Sequence, residues 1–112
     1  MAKEINKKIY KKLIEFAKKQ TTISYSQLAS ECDIPYTSID ERNEFHHLLG
    51  NISIFEVKHN RPMPSALVHH LGDPERRPGK GFFILADELK QRKDNDDKTL
   101  LYRQMKKCWK VW

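Results

Sequence analysis

The sequence predicts an α+β domain: a three-helix core, a small β-hairpin and an added C-terminal helix. Three observations carry that expectation. Apolar residues recur at helical spacing in separate stretches of the 112-residue chain. Two capping-box signatures, Ser24-Tyr25-Ser26-Gln27 and Ser38-Ile39-Asp40-Glu41, mark helix starts in the first half. Residues 61–83, RPMPSALVHHLGDPERRPGKGFF, then break the helical pattern with four of the five prolines and three of the four glycines.

Residues 4–19 read as an amphipathic helix. Ile5, Ile9, Leu13 and Phe16 form its stripe, and Lys7, Lys8, Lys11, Lys12, Lys18 and Lys19 occupy much of the remainder. Thr21-Thr22-Ile23 is β-branched and fits one short strand. Ser24 opens a short helix with Tyr25, Leu28, Ala29 and Cys32 inward, stopped by Asp33-Ile34-Pro35. Ser38 opens the next, whose stripe is Phe45, Leu48, Leu49, Ile52 and Phe55. Gly50 interrupts it at a cost of about 1 kcal/mol relative to alanine, and suggests a kink or a close helix contact.

Pro62 and Pro64 favour an extended entry, so residues 66–71 are expected as a core strand. Gly72-Asp73-Pro74 and Pro78-Gly79 signal turns, and Phe82 to Leu89 begins either a return strand or a helix. A charged connector leads to a last helix over residues 96–112, with Leu101, Met105, Cys108, Trp109 and Trp112 on one face. The expected organisation is a single domain over residues 1–112, with its core at about 4–86 and a C-terminal helical extension at about 96–112.

The net charge of +6 points to an acidic partner, and nucleic acid is the commonest. The charge is unevenly placed. Residues 1–20 carry seven lysines against Glu4 and Glu15, whereas residues 21–60 carry Arg42 and Lys58 against six carboxylates. The start has no apolar signal-peptide core, and the FFILA run is far short of the roughly 20 residues of a membrane helix. Cys32 and Cys108 lack metal-ligand spacing, so two reduced thiols in a cytoplasmic protein are expected, with no metal and no cofactor.

The order helix, small strand, helix, turn, helix, strand, basic loop, strand resembles a winged helix-turn-helix domain over roughly residues 4–86. The resemblance implies that the helix from Ser38 enters a groove while the segment 61–83 acts as the wing. The expected nucleic-acid contacts are Arg42, Asn43, Arg61, Arg76, Arg77 and Lys80, with Lys11 and Lys12 from the first helix. DNA stands ahead of RNA as the partner. Asp40, Glu41 and Glu44 oppose phosphate at the start of that helix, which keeps a protein-interaction winged-helix module as the alternative.

Ser24-Tyr25-Ser26-Gln27-Leu28-Ala29 is similar to the helix start of DNA alkyltransferases and alkyltransferase-like proteins, which carry Pro-Cys-His-Arg-Val downstream. This chain has Pro64-Ser65-Ala66-Leu67-Val68, so the nucleophilic cysteine is missing and the likeness implies a non-catalytic DNA-binding relative. The segment also resembles one in uncharacterised bacterial proteins that place Arg-Pro before Ser-Ala-Leu-Val and Pro-Gly before Gly-Phe-Phe. No activity attaches to that likeness. A small nuclease is the second alternative, through Glu56-Val57-Lys58 with a further carboxylate, or through histidines acting as acid and base on a 2′-hydroxyl. Strand alternation would place one of His69 and His70 toward the core and the other toward solvent.

Overall fold

Most helices here begin where a side chain can take an otherwise unpaired amide. The computed structural model describes residues 5–75, 77–93 and 96–112. Asn6 caps helix α1 (Lys7–Lys18) by accepting the Ile9 amide at 3.1 Å. After strand β1 (Ile23–Ser24), Ser24 caps α2 (Tyr25–Glu31) by accepting the Gln27 amide at 3.3 Å. Helix α3 (Ile39–Lys58) has a complete capping box: Ser38 Oγ accepts the Glu41 amide at 3.1 Å, and the Glu41 carboxylate accepts the Ser38 amide at 2.9 Å. Those bonds, with the Thr37 hydroxyl and amide, hold the Glu41 carboxyl down to about 2.

The helix ends share one device. Gln20, Asp33, Asn60 and Lys90 all have positive φ, between 55° and 60°, just past a helix C-terminus. At each, the following amide reaches back a full turn: Thr21 to Phe16 O, Ile34 to Ala29 O, Arg61 to Glu56 O and Gln91 to Ala86 O. These are Schellman closures made without glycine, so each keeps its hydrogen bonds at some backbone cost.

Beyond α3 a buried 3₁₀ turn (Pro64–Leu67) leads into strand β2 (Val68–His69). The two strands pair in parallel, Ile23 with Val68 and Ser24 with His69, across the crossover that α2 and α3 supply. The turn is central: it touches α1, α3 and the C-terminal helix α5 (Asp97–Val111). Before α5 comes α4 (Lys80–Glu88), which follows Gly79 without a side-chain cap.

This corrects the expected β-hairpin. Residues 66–71 supply a two-residue strand rather than six, and its partner is β1, not a return strand. Leaving β2, the chain turns at Gly72, where φ is +80°, and re-enters the structure as α4. The Phe82-to-Ala86 run is helical because Phe82 and Ala86, one turn apart, are buried with Met63, Leu100 and Leu101. No hairpin wing forms among the described residues.

Ile9, Leu13, Leu28, Phe45 and Ile52 make the main cluster between α1, α2 and α3. A third, smaller cluster of Ala17, Leu67 and Cys108 ties α1 to α5, and Trp109 Nε1 donates to Thr21 O at 3.4 Å beside it. Gly50 faces α4 without a close approach that requires glycine, since a Cβ there would meet Leu85 at 3.6 Å, an ordinary van der Waals contact. No helix among the described residues is long and apolar enough to cross a membrane.

Candidate nucleic-acid interface

The exposed N-terminal half of α3 and the segment after β2, separate in sequence, meet around His70. On one side lies an open cleft of about 560 Å³ lined by Tyr25, Tyr36, Arg42, Asn43, His46 and His70. On the other, His70 borders a depression of about 510 Å³ where Arg77, Lys80 and Lys98 stand among four carboxylates, Asp73, Glu75, Asp96 and Asp97. Tyr25 fixes the junction, because its hydroxyl accepts the Gly79 amide at 2.7 Å and so holds the end of the loop against α2. Burial pushes the Tyr25 hydroxyl up to about 12, which keeps it neutral.

The histidines form part of that junction. The rings of His46 and His70 lie against Tyr25 with centroids 4.4 and 5.3 Å away. His46 Nε2 is 3.0 Å from the Tyr36 hydroxyl. Burial, and then the nearby His70, push His46 below the ordinary histidine range. His69 is half-buried with its Nδ1 3.0 Å from His70 O, while His70 is exposed. No sequence signal linked His46 to His70, because the crossover that joins them is long.

The expected contact residues have different fates. Arg42 is exposed, 5.8 Å over the Tyr36 ring, and Asn43 beside it is exposed in the same cleft. Lys80 and Lys11 are exposed and make no ion pair among the described residues. Arg77 is already engaged, with Nε 3.1 Å from Asp73 and 3.3 Å from Glu75. Lys12 lies 3.2 Å from Glu15 and 3.4 Å from Glu31. Arg61 is bound to the buried carboxylate of Glu56 and stacks over Phe55, so its charge is largely spent inside the molecule. Arg76 lies outside the described residues.

Both end helices are rich in lysine. Helix α1 carries five lysines against Glu15, and α5 carries four lysines and Arg103 against Asp97. The two helices are in contact through buried residues, Ala17 of α1 and Cys108 of α5.

The remaining candidates have structural partners. Ser65 Oγ lies 2.7 Å from Ser53 Oγ, a neutral hydroxyl that cannot activate it as a nucleophile. Glu56 is fully buried and faces Arg61 rather than a second carboxylate. Both thiols are unpaired and buried. Among the described residues no group of three His, Cys, Asp or Glu is placed to hold a metal ion. No protein-family model, curated protein or solved structure matches the chain.

Proposed function

We propose that this is a nucleic-acid-binding protein, and that the α3 N-terminal half and the segment 70–80 form its contact surface. One observation carries the reading: Arg42 and Asn43 on one side of His70, and Lys80 on the other, line adjoining depressions. Asn43 has the donor and acceptor that read base edges, and Arg42 and Lys80 suit phosphate. The lysines of α1 and α5 add attraction without sequence preference. In this reading α2 and α3 serve as the paired helices of a winged helix-turn-helix module, with a loop in the place of the wing.

The test is titration of labelled duplex DNA and of single-stranded RNA at two salt concentrations. Engagement of about four to six phosphates makes log K fall by about 0.9 per contact as log salt rises. Absence of binding to either at low salt overturns the proposal.

A second reading has its own observation. Ile39 and Leu71, 74% and 79% exposed, sit on the rim of the same cleft, where a protein partner would cover them. A stoichiometric protein recovered with the tagged chain after nuclease treatment would favour it.

A further inference from the structure

We propose that the cleft is a catalytic site for RNA, in which His46 and His70 act as general base and general acid in strand cleavage by the 2′-hydroxyl. This rests on the nucleic-acid reading and narrows its substrate to RNA. Two imidazoles from different elements, α3 and the segment after β2, flank one tyrosine ring in a solvent-open cleft. The cleft volume of about 560 Å³ is in the range of small-ligand sites. In the tautomer whose Nε2–H donates to the Tyr36 oxygen, Nδ1 of His46 keeps its lone pair and serves as the base. Arg42 supplies a cation in the same cleft, and Lys80 another across His70.

The chemistry balances with these groups alone. Neutral His46 takes the 2′-hydroxyl proton while the 2′ oxygen attacks the adjacent phosphorus. The P–O5′ bond breaks, and protonated His70 gives its proton to the departing 5′ oxygen. Arg42 offsets the charge that builds on the non-bridging oxygens. The products are a 2′,3′-cyclic phosphate and a 5′-hydroxyl, with no water or co-reactant consumed. Solvent then returns His46 and His70 to their starting protonation states. The partial burial of His46, which favours its neutral form, suits the base.

The experiment uses the full chain with a labelled single-stranded RNA in EDTA, and the same sequence as DNA. Binding is measured on both in parallel. RNA ends carrying 2′,3′-cyclic phosphate are expected, with the deoxyribose copy bound but uncut. His46→Gln and His70→Gln should each slow cleavage by at least about 100-fold, the usual worth of a positioned acid or base. The deoxyribose copy tests the step without altering the protein, so a variant that fails to fold leaves the result readable. RNA that binds without being cut overturns this inference and spares the binding reading. Cleavage unchanged in both folded variants also overturns it, and absence of binding overturns both.

Discussion

Arg61 is bound to Glu56 twice. Its amide donates to the Glu56 carbonyl at 2.9 Å and closes α3, while its guanidinium meets the Glu56 carboxylate, with Nη2 to Oε1 at 3.3 Å. Glu56 has no exposed surface, and Tyr10 of α1 packs at the same place against Phe55. A buried carboxylate that loses its cation is costly, whereas the intact pair contributes little beyond an apolar replacement. Arg61→Ala should therefore lower stability by about 3 kcal/mol, the low end for a buried pair because the guanidinium is partly exposed. Urea unfolding checks it, and a loss under about 1 kcal/mol would mean that solvent reaches Glu56.

The glycine-free helix ends predict the opposite sign. Lys90 and Gln20 are exposed residues held at φ 58° and 55°, where a Cβ is unfavourable. Glycine removes that cost but adds chain entropy to the unfolded state. Lys90→Gly and Gln20→Gly should each stabilise the protein by about 0.5–1 kcal/mol, and Asn60→Gly by less, since asparagine tolerates this region. Thermal melts of the three variants decide the order.

Alkaline pH should weaken the fold through two tyrosines. Burial pushes both Tyr10 and Tyr25 from 10.0 up to about 12, with Glu56 adding to the effect at Tyr10. A raised folded-state pKa means that the neutral form is the one the fold prefers. Its contribution is complete below pH 10 and is lost as pH rises toward 12. The melting temperature should fall across that window, and by less in Tyr25→Phe. That variant should be less stable at neutral pH by about 1–3 kcal/mol, since it leaves the Gly79 amide without its acceptor.

The helices were legible where local chemistry repeats: the Ile9–Leu13 stripe placed α1, and Ser38 with Glu41 placed the start of α3. The β2 partner was not, because a two-residue parallel pair depends on contacts across a long crossover and leaves no local period. Phe82 to Leu89 was ambiguous for a related reason. A short apolar run suits strand or helix until its neighbours are known, and here Leu100 and Leu101 decide. Gln104 is a polar residue that no local pattern marks, and it is fully buried, with its Oε1 accepting the Met63 amide at 3.0 Å. Among the cationic candidates, sequence showed the charges of Arg61 and Arg77 but not the carboxylates that already hold them.

That difference between free and engaged cations makes the sharpest test of the interface. Lys80 and Arg42 have no ion-pair partner among the described residues, whereas Arg77 is held by Asp73 and Glu75. The slope of log K against log salt counts the phosphates a protein neutralises, so it separates contacts from bystanders. Lys80→Ala and Arg42→Ala should each flatten the slope by up to about 0.9, the value for one phosphate contact, with stability changed by under about 0.5 kcal/mol. Arg77→Ala should leave the slope in place yet weaken binding at low salt, because it uncovers two carboxylates beside the path of the phosphates. Unchanged slopes in Lys80→Ala and Arg42→Ala would remove this surface from the contact. A flattened slope in a variant with Lys11, Lys106 and Lys107 replaced would then assign binding to α1 and α5.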